Sequence, residues 1–417
     1  MSPNRLDDLD VAPLSESFEV TRTYNADQFP NKVNLGQGVY RDDNAQPWVL
    51  PSVQAAEETL HNEHGNHEYL PISGHDQFNK RARALLFGSE IHDSYNICTV
   101  QTVAGTGANH LAALFCAQIL HSKNVFISDP TWDNHHAIWK TAAPGTTQKL
   151  YPCHNISTCT FDFKRMIAEL ENSAVENDVV VLHACAHNPT GCDPTHDQWD
   201  KIADVVGRKR LFVVFDSAYQ GFASGDPDAD AWAIRHFYSK LFGSNSGIEN
   251  PPLGMLVCQS FSKNFGLYGE RIGALHLVTP PGVSPSGAYT QLIALIRSIV
   301  SCPSLFGARV VNTILSDAEL YAQWKEDVVT MSSRIRDIRL ALRLELEKIN
   351  TEGDWSHITR QIGMFSYTGL SEAQVQRLRE VHHVYMLKNG RMSLSGLNAK
   401  NVGYVACAIK EVVEQEL

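Results

Sequence analysis

Lys263 has the most chemistry to offer. It lies in Ser260-Phe261-Ser262-Lys263-Asn264-Phe265-Gly266-Leu267-Tyr268-Gly269-Glu270-Arg271-Ile272-Gly273, just after the apolar run Met255-Leu256-Val257-Cys258. A lysine that ends a strand among small and aromatic neighbours is desolvated, so its amine can be neutral and nucleophilic near neutral pH, as a Schiff-base lysine requires. Arg271 adds a fixed planar cation and Ser260 a hydroxyl, which together can hold a phosphate beside the amine. A reactive lysine next to a phosphate grip points to pyridoxal 5'-phosphate. Taken alone, a lysine in a Gly-rich turn is more often a solvated loop residue. S-x-x-K also opens the serine acylases, but their S-D-N and K-T-G partners are missing from this chain.

Other polar residues follow apolar runs in the same way. Val179-Val180-Val181-Leu182-His183 reads as a buried strand with Asn188 in the loop beyond it, and Leu211-Phe212-Val213-Val214-Phe215 delivers Asp216 and then Tyr219. A lone aspartate at a strand end usually caps a helix or turn. Several strands ending in polar groups fit an open α/β sheet, whose ligands bind beyond the carboxyl ends. Earlier, a strand Ile97 to Val103 runs into Ala104-Gly105-Thr106-Gly107-Ala108-Asn109, then a helix to about Leu120 and a strand Val125 to Ser128. Backbone N–H groups at that helix start suit an anion. A dinucleotide fingerprint competes, with Asp129 as its acidic residue, but the third glycine is missing. Trp132 reads equally as a core aromatic or a stacking platform. His61, His64 and His67 lack thiolate or well-spaced carboxylate partners and read as a solvated polar loop, so no metal is expected.

These residues, in this order, resemble the aspartate aminotransferases, which are fold-type I pyridoxal-phosphate enzymes. The resemblance runs from about Asn34 to Ala406 and is carried by the lysine loop with Asn34-Leu35-Gly36-Gln37-Gly38-Val39-Tyr40-Arg41-Asp42, Glu68-Tyr69-Leu70-Pro71, His187-Asn188-Pro189-Thr190-Gly191, Asp216-Ser217-Ala218-Tyr219-Gln220-Gly221-Phe222 and Gly390-Arg391. It implies that Lys263 carries the cofactor and moves the α-proton. Asp216 would sit at the pyridine nitrogen, with Tyr219 and Asn188 at the ring oxygen and Trp132 stacked on the ring. Gly105, Thr106, Ser260 and Arg271 would hold the phosphate, which Tyr69 reaches from the neighbouring subunit. Gly38 would lie over the substrate. Arg391 would clamp the α-carboxylate and Arg297 the side-chain carboxylate from across the dimer. The implied reaction is ping-pong transamination of small dicarboxylic amino acids and keto acids, L-aspartate and 2-oxoglutarate giving oxaloacetate and L-glutamate, by a homodimer with shared active sites.

The same resemblance implies a mostly parallel sheet flanked by helices in a large cofactor-binding domain, 50–320. A smaller α/β domain is built from both chain ends, 16–49 and 321–417, and an N-terminal arm covers 1–15. Tyr289 to Ser301 reads as an amphipathic helix carrying Arg297, and Ala318 to Asn350 as a long helix between the domains. Strands are expected at Gly363 to Tyr367, Val384 to Leu387 and Arg391 to Leu394.

Composition agrees with an enzyme of this size. The chain has 417 residues, 43% of them hydrophobic, enough for a large core in two domains. A net charge of −11 disfavours nucleic acid and anionic membrane as partners, so an anionic substrate must meet local arginines. Nine cysteines without a C-x-x-C pair fit buried thiols in a reducing compartment. The acidic start, lacking an apolar core, is unlike a leader, the Gln415-Glu416-Leu417 end is not a peroxisomal signal, and cytoplasm is the expected location.

The chain departs from the family near the pocket. Ala104 stands in place of the usual serine, Gln37 in place of a small aliphatic residue, and Ser298-Ile299-Val300-Ser301-Cys302-Pro303-Ser304 in place of a segment with proline, tyrosine and asparagine or serine. These leave room for a paralogous aminotransferase with a different amino donor in a specialised biosynthetic pathway. A noncatalytic cofactor- or dicarboxylate-binding protein is disfavoured by retention of Lys263, Asp216, Tyr219 and Arg271. A racemase or decarboxylase is disfavoured by the pair of carboxylate-binding arginines.

Overall fold

The computed structural model describes residues 9–12, 15–244 and 246–415, so most of the expected N-terminal arm lies outside the described residues. Its centre is a seven-stranded sheet built from β1 (Ile97–Val103), β2 (Asn124–Asp129), β3 (Thr147–Pro152), β4 (Val179–His183), β5 (Phe212–Ser217), β6 (Met255–Ser260) and β7 (Ile272–Val278). The spatial order is β1-β7-β6-β5-β4-β2-β3. All neighbours pair parallel except β7, which is antiparallel to both β6 and β1. The sequence reading had no strand at 272–278. That strand returns directly from the lysine loop, so Arg271 comes back to the same sheet edge as the end of β6.

Alternation along the central strands explains their unbroken apolar runs. Val179, Val181, Phe212, Val214, Leu256 and Cys258 enter one core, while Val180, Leu182, Val213, Phe215, Met255 and Val257 enter the other. A strand with a core on each face has no side that can be polar until it ends. The first polar groups therefore appear together at the carboxyl edge.

Helix α1 (Ala104–Gln118) begins at Ala104 itself rather than after the expected glycine loop. Ala104 takes φ +57°, in the left-handed region, and turns the chain from β1 straight into the helix. Its N–H donates to the Arg271 carbonyl (3.0 Å), and Gly273 lets the two segments meet, since a Cβ there would lie 2.5 Å from the Ala104 carbonyl carbon.

The two ends of the chain meet around another core. Val33–Asn34 pairs parallel with Val384–Tyr385, and Phe365–Tyr367 pairs antiparallel with Arg391–Ser393. The expected strands at 363–367, 384–387 and 391–394 are therefore present but shorter. Helix α2 (Ala318–Lys348) is capped by Asp317, whose carboxylate accepts from the N–H groups of Glu319 and Leu320. Trp324, on that helix, donates from Nε1 to the Asn264 carbonyl (2.8 Å) and stacks on Phe265 at 4.7 Å, fastening the helix to the residues that follow Lys263. The helix expected around Arg297 spans Ser286–Ile299.

Candidate active site

Strand ends and chain ends enclose one cavity of about 370 Å³. Lys263 enters it just beyond β6, Asp216 from β5, Asn188 from the loop after β4, Trp132 from the loop after β2, and Gly105 and Thr106 from the start of α1. Gly38, Tyr219, Ser260, Arg271 and Arg391 line it as well. Tyr69 and Arg297 do not. Tyr69 is 85% exposed, and Arg297 lies at the exposed end of its helix, donating to the Ser301 hydroxyl.

No described side chain hydrogen-bonds the Lys263 amine, whose nitrogen lies 5.6 Å from the centroid of the Tyr219 ring. Burial lowers its pKa to about 8; Asp216 opposes that shift, while Arg271 and Arg391 add to it. The amine is thus partly neutral at physiological pH. The nearby Tyr219 hydroxyl is raised by burial, partly offset by the Arg391 charge.

Asp216 is 5% exposed, and its Oδ2 accepts from His135 Nε2 at 3.0 Å. His135 Nδ1 in turn accepts from the Thr131 hydroxyl at 2.9 Å, a chain that fixes the ring with Nε2 as donor. Burial pushes the Asp216 carboxyl up, but the hydrogen bond from His135, together with the Lys263 charge, leaves it below the ordinary value. Asp216 is therefore a permanent negative charge under physiological conditions. His135, His183 and Asp216 also place potential metal-ligand atoms within 4.8 Å of one another. Both His135 nitrogens are already engaged, by Thr131 and Asp216, so a hydrogen-bond relay accounts for that group.

Arg271, at φ +56°, donates to the Ser262 hydroxyl (3.3 Å) and the Tyr268 carbonyl (2.9 Å). Ser260, Ser262, Arg271 and the first-turn amides of α1 surround a place for an anion, because first-turn N–H groups have no intrahelical acceptor. Gly105 keeps this place open. A Cβ there would stand 2.9 Å from the Ser260 Cβ.

Arg391 is 7% exposed and lies with its guanidinium carbon 4.2 Å from the Phe365 ring centroid. Nη1 donates to Asn188 Oδ1 (3.3 Å) and Nη2 to the Gly36 carbonyl (2.8 Å), while Nε is buried without a partner. A buried guanidinium with an unused donor is arranged to receive a carboxylate.

The residue 30–409 span matches the family model described as aminotransferase class I and II. The chain belongs to the aminotransferase class I and II family. This aminotransferase is 44% identical over 421 residues to the cytoplasmic aspartate aminotransferase of Saccharomyces cerevisiae, covering 99% of this chain and 98% of that protein. The solved structure of aspartate aminotransferase from Saccharomyces cerevisiae cytoplasm matches with a TM-score of 0.94 at 43% identity, covering 99% of each chain. An L-tyrosine:2-oxoglutarate aminotransferase of Aspergillus ustus is also 44% identical, over 95% of this chain and 76% of that protein. The aromatic-amino-acid aminotransferase from Burkholderia pseudomallei, solved covalently bound to pyridoxal phosphate, matches with a TM-score of 0.90 at 36% identity, covering 99% of this chain and all (100%) of that one.

Several residues in or beside this cavity carry no assignment in the sequence analysis. Ser262 sits within the lysine motif, and His135 stands four residues after Thr131 at the start of the helix Asn134–Ala142, so both were within reach of spacing arguments. Ser17, Phe18 and Thr21, on the helix Glu16–Ala26, line the cavity through the meeting of the chain ends, for which the local sequence carries no signal.

Proposed function

We propose that this enzyme is a pyridoxal-phosphate-dependent aminotransferase that moves the amino group of L-aspartate to 2-oxoglutarate by a ping-pong mechanism, giving oxaloacetate and L-glutamate. The observation that carries the reading is the placement of a partly neutral lysine, an ionised buried aspartate and a guanidinium with a spare donor around one cavity.

The cavity fits the cofactor. Gly105 leaves space against Ser260, and Arg271 with the α1 amides supplies fixed positive potential for a phosphate. Ser260, Ser262, Thr106 and Arg271 would hold that phosphate, Asp216 the pyridine nitrogen, Tyr219 and Asn188 the ring oxygen, and Trp132 a ring face. When bound, the cofactor supplies an aldehyde carbon for the amine and a protonated ring that draws electrons from the substrate α-carbon.

The chain's own residues do the rest. Lys263 Nζ, free to be neutral near pH 8, takes the α-proton and returns it on the far side of the transfer. Asp216 keeps its charge through the cycle because His135 donates to it throughout. Arg391 binds the α-carboxylate through Nε and Nη, and Phe365 covers one guanidinium face against water. The helix Glu16–Ala26 closes the outer wall with Ser17, Phe18 and Thr21.

A homodimer with shared active sites belongs to the same reading. Tyr69 and Arg297 stand outside their own chain's cavity, and Ile299 (45%) and Val300 (41%) expose apolar surface beside Arg297, which supports a partner chain covering this side. Residues 50–320 serve as the large domain, with 16–49 and 321–417 as the small one; the pairing of Val33–Asn34 with Val384–Tyr385 supports joining the chain ends. The name of the yeast relative supports a cytoplasmic location. No helix among the described residues is long and apolar enough to cross a membrane.

The visible spectrum of the purified enzyme tests the assignment. Adding aspartate should convert it to the pyridoxamine form with release of oxaloacetate. A colourless protein that stays colourless with added cofactor contradicts the reading. A spectrum that responds only to another amino acid supports the second reading, a different donor, for which the polar Gln37 in the cavity wall and the L-tyrosine-directed relative speak.

A further inference from the structure

Gln37 occupies the cavity wall on the segment that also touches the carboxylate clamp, since the Gly36 carbonyl accepts from Arg391. Its Oε1 accepts from Arg41 Nη2 at 3.0 Å. A guanidinium can only donate, so this bond fixes which end of the amide faces Arg41 and leaves the NH2 end turned away from it. Arg41 is itself anchored. Its Nη1 donates to the Ala45 carbonyl (2.9 Å), its backbone bridges to Pro47, and Asp42 Oδ1 accepts from the N–H groups of Asn44 and Gln46 within the same turn. Next door, the Tyr40 N–H donates to the Tyr268 hydroxyl (2.9 Å), tying this wall to the lysine loop.

The other uncharged polar groups of the outer wall are already occupied. Thr21 donates to the Ser17 carbonyl (2.8 Å), and Ser17 pairs with the Ser15 hydroxyl (3.1 Å). No described group accepts from Gln37 Nε2. The α-carboxylate has Arg391 to receive it, so the oxygen that Nε2 can serve is a different one.

We infer that Gln37, held by Arg41, is a specificity-determining residue whose amide donates to an oxygen on the substrate side chain. The inference rests on the proposed transamination for the identity of the cavity. It favours amino and keto acids with a carboxylate, amide or hydroxyl side chain over purely apolar ones, because a donor left without an acceptor in the closed site loses its hydration for nothing.

The test uses unreactive ligands, so that it does not depend on turnover. Binding of succinate and of 3-phenylpropanoate to the holoenzyme is measured by calorimetry for the wild type, Gln37→Val and Gln37→Glu, with folding checked by circular dichroism. Gln37→Val should weaken succinate by roughly ten- to hundredfold, the range for a hydrogen bond to a charged group, without weakening 3-phenylpropanoate. Gln37→Glu keeps an acceptor for Arg41 but replaces the donor by a negative charge, and should weaken succinate further. Equal changes for both ligands would reduce Gln37 to a brace for Arg41, and an unchanged succinate affinity would also overturn the inference. Failure of wild-type enzyme to transaminate any amino acid would instead strike the functional reading, which the binding ratio does not use.

Discussion

His135 Nε2 donates to Asp216 Oδ2 across 3.0 Å, and neither residue is more than 5% exposed. The bond joins the first turn of the helix Asn134–Ala142 to the end of β5 and keeps a buried carboxylate ionised. Replacing His135 by Ala leaves Asp216 without its main donor, at a cost of about 1.5–3 kcal/mol for a hydrogen bond to a charged group. His135→Ala should lower stability in urea by that order and raise the pH at which the acid limb of kcat/KM falls. The direction follows from linkage: a depressed carboxyl contributes stability above its unfolded pKa and loses it as pH falls through the folded value, so raising that value moves the loss to higher pH.

Arg391→Lys keeps the charge and removes the fork. Nη1 on Asn188, Nη2 on Gly36 and the free Nε cannot all be reproduced by an ammonium. Steady-state kinetics should register a fall in kcat/KM of roughly a hundredfold for every amino acid alike, since the α-carboxylate is common to all. A loss confined to dicarboxylic substrates would assign Arg391 to the wrong end.

Gly273→Ala probes the joint between β7 and α1. The added Cβ would meet the Ala104 carbonyl carbon at 2.5 Å and the Gln259 carbonyl oxygen at 2.8 Å, both backbone. Neither can swing away, so thermal or urea unfolding should reveal a destabilisation on the order of 2–4 kcal/mol together with weaker cofactor retention on dialysis.

The free Lys263 amine should titrate near pH 8. In cofactor-free enzyme its reductive methylation rate, followed by peptide mapping, should reach half its maximum near that pH, while surface lysines respond only near pH 10.4. Because the folded pKa lies below the unfolded one, the native state binds fewer protons between those values, and this residue's contribution makes stability rise with pH across that window.

Much of this was legible because buried parallel strands leave little choice. Val179–His183 and Leu211–Phe215 read as continuous apolar runs, and the sheet brings the residues at their ends to one edge. The lysine motif carried Arg271 within it, and both residues line the same cavity. The start of α1 was misplaced because Ala104 adopts a left-handed conformation that composition favours only for glycine or asparagine. The strand at 272–278 was hidden by its antiparallel return. The wall formed by Ser17, Phe18 and Thr21 depends on the chain ends packing together, a long-range event with no local periodicity to announce it.

Borohydride reduction of the enzyme with pyridoxal phosphate, followed by peptide mapping, bears most directly on the role given to Lys263. A phosphopyridoxyl label on the peptide containing Ser260 to Arg271, at Lys263, is the predicted result. No label, or a label on another lysine, would contradict the account.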